Sequence, residues 1–354
     1  MAYTTIDDPS AYFKVQLYTG NGSANHAITF NDTDTDMQPD LVVIRQRDAT
    51  VGGNCWFDSV RGATKLLLSN TSAAESTDAD TLDSFASDGF QVDADTKVND
   101  NTKLYVAWCW NTQGGAGSSN TAGSINTTAT SVGTTQGFSI MQYEGNVTAG
   151  ATIGHGLGAV PQFMIFKNID ASRSWYVYHH KNTAAPATDY LKLDTNAATA
   201  DFDGLWNDTA PSSTLVTLGD GSDTNGDGET HIAYCWSEVQ GFSKFGVYEG
   251  NNNADGTFVY TGFRPAFVLS KSIDSTHDWQ LWDNKRSGYN EDNDMVVLSN
   301  TDARDTSTFV DLVSNGFKWR TSTAAGPNVS ETFIYAAFAE APFVNSNGVP
   351  CNAR

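Results

Sequence analysis

The sequence is short of basic residues and almost without glutamate. Lys and Arg number 20 against 41 Asp and Glu in 354 residues, giving a formal net charge of -21. A surface that negative repels phosphates and anionic lipid, so a nucleic-acid binder and a basic membrane-surface protein are both disfavoured. Only 8 of the acidic residues are Glu; the rest are Asp, which favours caps and turns where Glu favours helices. Apolar runs stay well short of the roughly 18–20 residues of a membrane span, so no membrane insertion is expected. The first residues, MAYTTIDDPSAYFK, have neither the basic nor the apolar region of a secretory signal. Cys55, Cys109, Cys235 and Cys351 form no CxxC pair, which argues against a zinc ribbon, a redox motif or a disulfide framework. Cys109 and Cys235 sit in matching apolar contexts and read as buried free thiols.

What the chain has is glycine (31 residues), aromatic residues (12 %) and polar turn formers. It also repeats itself. FKVQLYTGN from Phe13, FSIMQYEGN from Phe138 and SKFGVYEGN from Ser243 are one landmark. Runs led by Pro39, Pro161 and Pro265 are a second, and strands led by Trp56, Trp175 and Trp279 a third. LLLSN, LKLDTN and VVLSN follow at Leu66, Leu191 and Val296, and closing strands end at Trp110, Trp236 and Phe338. The prolines lie 122 and 104 positions apart, the tryptophans 119 and 104. Units of about 100 residues are domain-sized and too long for solenoid repeats.

The expected fold is all-β, with three tandem β-sandwich or jelly-roll-like domains related by internal repeat. Residues 1–112 form unit one, 136–239 unit two and 240–343 unit three, with a tail at 344–354. The charge-free, Gly/Ser/Thr/Asn-rich stretch 113–135 reads as a linker, or as a strand-like arm near Ser124–Thr130. Units two and three are expected to dock tightly and unit one to be hinged. Helix signal is confined to a turn near Ser72–Leu82.

Candidate chemistry is sparse. Asp223, Asn225, Asp227 and Gly228 occupy positions one, three, five and six of a calcium loop, but Tyr234 stands where the bidentate Glu belongs. An acidic turn explains the same string, so calcium is the one cofactor the sequence raises. His155, His179, His180 and His231 all fall in unit two; His179 and His180 are strand neighbours and point to opposite faces. Nucleophile, zinc-protease and phosphate-loop motifs are missing, so no enzyme is expected. The recurring Trp56, Trp175, Trp279, Trp110, Trp236 and Phe338 read as core. Trp206, Trp282, Tyr289 and Trp319 do not recur; they are candidates for stacking on sugar rings, with interface packing as the plainer alternative.

YTGNG…PDLVVIRQRD…DSVRGATKLLLSNTSAAE…LDSFASDGFQV…LYVAWCW and GATIGHGLGAVPQFMIFKNID…SWYVYHH resemble tail-fibre-like structural proteins of marine bacteriophages, cyanophages among them. The resemblance implies a virion structural protein assembled in the host cytoplasm. It implies other virion proteins and a host surface glycan or receptor as partners, and a homo-oligomer, a trimer foremost. It supplies no catalytic or binding residue. A capsid head-fibre or decoration protein and a polysaccharide-degrading enzyme are the competing expectations.

Overall fold

The closing strand of unit one, Leu104–Trp110, shows how the sequence builds the fold. Side chains alternate across a strand. Val106, Trp108 and Trp110 point one way and Tyr105, Ala107 and Cys109 the other, and all six are buried. A strand covered on both faces has no polar side to show, hence the unbroken apolar run. The computed structural model describes residues 2–30, 35–48, 52–286, 290, 294–300, 310–323 and 326–351.

The chain is all-β; among the described residues its sheets are antiparallel and helix occurs only in single turns. Each unit contributes one main sheet with the same strand order. The lead strands (Phe13–Thr19, Phe138–Glu144, Ser243–Glu249) pair with the closing strands (Leu104–Trp110, Thr230–Trp236, Thr332–Pro342). The closing strands pair next with the proline strands (Leu41–Gln46, Phe163–Asn168, Phe263–Ser272). The Trp strands (Asn54–Asp58, Trp175–His179, Gln280–Asp283) follow. A short outer sheet covers the far side of each main sheet. Its strands are His26–Thr29, Leu82–Ala86 and Gly89–Val92 in unit one, Ala151–Gly154 and Leu215–Leu218 in unit two, and Phe258–Tyr260, Val310–Val313 and Gly316–Trp319 in unit three.

The inner faces of all three main sheets meet in one shared core. Trp110, Trp236 and Phe338, the last inward residues of the three closing strands, converge with ring centroids 5.5–6.4 Å apart. Each such ring takes roughly 150–250 Å² out of water, worth about 4–6 kcal/mol at 25 cal/mol per Å². They line an enclosed apolar cavity of about 30 Å³, which has no polar partner for a water. The recurring aromatics are thus core, as their repetition suggests, and the core they form lies between the units as well as inside them.

The stretch 113–135 is more than a spacer. Thr127–Gly133 is a seven-residue strand that pairs with the lead strand of unit two and adds a seventh strand to that sheet. Ile125 forms a bridge to Ile153 of the outer sheet and enters the core of unit two. A Cβ on Gly123 would stand 2.3 Å from the carbonyl oxygen of Thr152, so glycine is what lets the arm lie this close. Ser72–Leu82 is not helical; it holds a two-residue strand at Ser76–Thr77 and touches unit two. There Glu75 N–H donates to Ile169 O (2.9 Å) and Lys167 Nζ to Ser72 O (3.2 Å). With Trp175 Nε1 bonded to Leu68 O, unit one is bound to unit two across a broad face. The expected hinge gives way to this packing, because the composition of a connection says little about the faces it joins.

Candidate functional site

Three classes of polar group recur in the units, and each serves the architecture before any ligand. The first is a Tyr–Asn clamp. Tyr18, Tyr143 and Tyr248 donate their hydroxyls to the carbonyls of Val98, Thr224 and Pro327. The next residues, Asn99, Asn225 and Asn328, are fully buried and receive the backbone N–H groups of Asn21, Asn146 and Asn251 on Oδ1. Their Nδ2 groups donate to surrounding carbonyls, among them Ser23 O, Gly219 O and Asn253 O. The clamp ties the turn after each lead strand to the turn before each closing strand.

This geometry decides the calcium loop. Asn225 spends both side-chain atoms in the clamp, Asp223 faces Arg173 at 3.8 Å, and Asp227 is exposed. Of Asp223, Asn225 and Asp227 the asparagine is thus already committed to the fold, and among the described residues no cluster of three or more His, Cys, Asp or Glu could hold a metal. Replacing Asn99, Asn225 or Asn328 by Ala strands several buried backbone groups; each variant is expected to lose about 2–3 kcal/mol in urea unfolding. A loss below about 0.5 kcal/mol at all three would show that water substitutes for the amide.

The second class closes the units into a ring. Asp58 bonds Arg61 Nε at 2.5 Å and accepts from Tyr234 of unit two at 2.8 Å. Asp283 bonds Arg286 Nε at 2.6 Å and accepts from Trp108 Nε1 of unit one at 3.0 Å. His179 fills the same place in unit two and bonds Tyr335 O of unit three at 3.1 Å. The joints thus run two to one, one to three and three to two. Both nitrogens of His179 are used, since Nδ1 accepts from Lys181 N–H, the role played by Asp58 Oδ1 toward Arg61 N–H. Burial, reinforced by His180, pushes the His179 imidazole down to about 3.

The third class is a buried cation at the same register position of each proline strand. Arg45 reaches Asn300 O, Lys167 reaches Ser72 O and Lys271 reaches Asn196 O, each in the neighbouring unit. Burial pulls both lysines down to about 8.

The sugar-stacking candidates lie elsewhere than expected. Trp206, Trp282 and Trp319 are buried to 1 % exposure or less, Trp282 and Trp319 against each other at 4.9 Å. No sugar can reach them; they pack the sandwich cores, where an unrepeated aromatic fills an unrepeated gap. Tyr289 lies outside the described residues. His155 and His231 are buried, hydrogen-bonded and held below the usual imidazole range by burial. Cys55, Cys109 and Cys235 are buried and unbridged, and burial pushes the Cys55 thiol up to about 12.

An open groove of about 420 Å³ lies beside the lead strand of unit three. Its walls are Gly246 and Val247 on that strand and Phe258 and Tyr260 on the outer sheet, with His180 and Lys181 of unit two at one end. Val247, Phe258 and Tyr260 are 42 %, 47 % and 50 % exposed. The sequence does carry a signal for it: FVY at Phe258 puts two large rings on the face opposite buried Val259.

The profile of a family described as a domain of unknown function, DUF7483, matches residues 8–342. The chain belongs to this family. The match runs without a break through all three units, so what the DUF7483 description delimits here is the ring and not the repeat. No curated protein matches the chain. The groove and the joints of this DUF7483 ring are therefore interpreted from their own geometry.

Proposed function

We propose that this DUF7483 protein is a non-catalytic virion structural protein of a bacteriophage, of tail-fibre or adhesin type, displayed to contact a host surface glycan through its outward loops. The supporting observation is the closed ring. Its recurring polar groups, the clamps, joints and buried cations, are committed to holding three units in one rigid body. The resemblance to phage tail-fibre-like proteins points the same way. Display in many copies turns weak contacts into useful avidity.

The capsid alternative has one observation in its favour. A single chain that carries threefold pseudo-symmetry suits a threefold position on a head surface. Sizing with light scattering separates the two arrangements: a species of three times 38.1 kDa supports the homo-trimer of the tail-fibre reading, and a clean 38.1 kDa species means that the pseudo-threefold ring of one chain stands alone. Gold-labelled antibody against the protein, imaged on purified particles, separates the readings. Label at the tail supports the adhesin and label on the head the decoration protein. Particles without label would sink both.

A further inference from the structure

The repeat contains its own control for the groove in unit three. In unit two the arm 118–133 covers what would otherwise be two sheet edges, that of the lead strand and that of the outer strand Ala151–Gly154, and lies across the gap between them. Thr127–Gly133 pairs with the lead strand, and Ile125 N–H donates to Thr152 O at 2.9 Å. The arm buries Ile125, Thr127, Thr130 and Ser131. In unit three the same two edges stand open. Ser243–Glu249 pairs only with the closing strand, and Phe258–Tyr260 only with Gly316–Trp319, among the described residues.

We propose that this groove receives an extended strand from a neighbouring protein, laid down as the arm is laid down in unit two. The inference stands on the repeat and not on the proposed virion role. N–H and C=O groups of alternate residues point to alternate sides of a strand. Gln142 O of unit two faces the arm and takes the Thr128 hydroxyl. Val247 is the matching residue of unit three, so its N–H and C=O face the groove. The flanking outward carbonyls are already held, Phe245 O by His180 Nε2 and Glu249 O by Thr257 Oγ1. The incoming strand therefore centres on Val247, with the amides of Phe245 and Glu249 on either side. Phe258 and Tyr260 then supply the apolar contact, in place of the arm that in unit two covers Gly154.

The chemistry of the occupant follows from the arm and from the groove rim. The arm, SSNTAGSINTTATSVG, carries no charge and two β-branched apolar residues, of which Ile125, its anchor, is buried and Val132 packs partly buried against the same core. The rim carries Lys181 and the Lys244–Glu238 pair (3.1 Å), a positive balance on a chain of net charge -21. The partner segment is uncharged or weakly acidic, rich in Ser, Thr and small residues, with one Ile or Val. Main-chain pairing supplies affinity and the anchor supplies specificity.

A synthetic peptide of residues 118–133 is the probe, added to the full chain and followed by fluorescence anisotropy and amide exchange. Binding with slowed exchange at Lys244–Glu249 is the expected result. V247P removes an outward N–H without touching the bond ladder to the closing strand; it should weaken binding about tenfold or more. F258A removes an exposed ring and should weaken it about threefold while the melting temperature stays put; F258A/Y260A, which also loses the Tyr260–Tyr3 hydroxyl contact (3.3 Å), should weaken it about fivefold. No binding at about 1 mM peptide, a level well above ordinary strand-addition affinities, overturns the proposal. Protection confined to Phe138–Glu144 overturns it too, because the peptide would then be replacing the arm. So does a dimer of the chain that V247P dissolves, since a second copy would then be the occupant.

Discussion

Acidification is expected to unfold the ring from the side of unit two, steeply below pH 6.5. The imidazole of His179 donates from Nε2 to Tyr335 O and accepts Lys181 N–H on Nδ1. A second proton on the ring would set two donors against each other in a fully buried site. The folded state therefore resists protonation until about pH 3, while the unfolded chain takes the proton near 6.5. Between those values the unfolded state binds more protons, so stability is complete above the unfolded value and is lost as the pH falls toward the folded one. A gap of that size corresponds to something on the order of 5 kcal/mol. His155 and His231 lie in the same unit, and their shifts have the same direction and the same leading cause, burial. Urea unfolding at a series of pH values between 7 and 4 measures the slope. H179Q keeps an amide donor for Tyr335 O and cannot titrate; it should flatten most of the slope while remaining folded at pH 7. An unchanged slope in H179Q would move the acid sensitivity elsewhere and refute the assignment.

Much of this architecture is legible in the residues, and the illegible part has a physical reason. Strand content and repeat boundaries follow from the periodic aromatics and the Gly-Asn turns, because local sterics and one-sided burial dictate both. The clamp was missed. Val98-Asn99, Thr224-Asn225 and Pro327-Asn328 share only an asparagine, although these asparagines lie 126 and 103 positions apart, close to the tryptophan offsets. Taken singly, Asn225 has the spacing of a calcium ligand; at its repeat position it is one of three matching buttresses. Trp206, Trp282 and Trp319 mislead for the opposite reason. Polar neighbours in sequence suggest exposure, but a ring at a strand end or helical turn can still face inward. Sandwich packing between sheets, not local composition, decides that. The joints were invisible because each joins residues more than 150 positions apart.

Breaking one joint should cost more than any surface change. Arg61 and Asp58 have side-chain exposures of 1 % and 0 %, and Arg286 and Asp283 both 0 %. Charges so buried are tolerable only when compensated; removing a partner that has no substitute typically costs about 3–5 kcal/mol. D58A strands the Tyr234 hydroxyl and leaves Arg61 with Glu75 on Nη1 at 3.1 Å as its remaining carboxylate, so it loosens unit two from unit one and the turn after the Trp strand. D283A takes the carboxylate from Arg286 Nε and the acceptor from Trp108 Nε1, and among the described residues no second carboxylate pairs with Arg286. D283A is expected to lose about 3–5 kcal/mol in urea unfolding followed by tryptophan fluorescence, and D58A less, because Glu75 stays on Arg61. The double variant D283L/R286L removes both charges and fills the space with apolar volume; it should regain more than half of the D283A loss, since a buried pair contributes little net stability over a hydrophobic substitute. Y234F tests the joint alone. It leaves Asp58–Arg61 intact and deletes one hydrogen bond to a carboxylate, worth about 1.5–3 kcal/mol. In a D58A background its effect should fall by more than half, because the main contact is already gone and only the longer Arg61 Nη2–Tyr234 contact (3.5 Å) is left. Full additivity of Y234F and D58A would mean that the hydroxyl and the carboxylate act separately, and the ring would then be held by its apolar core without the joints.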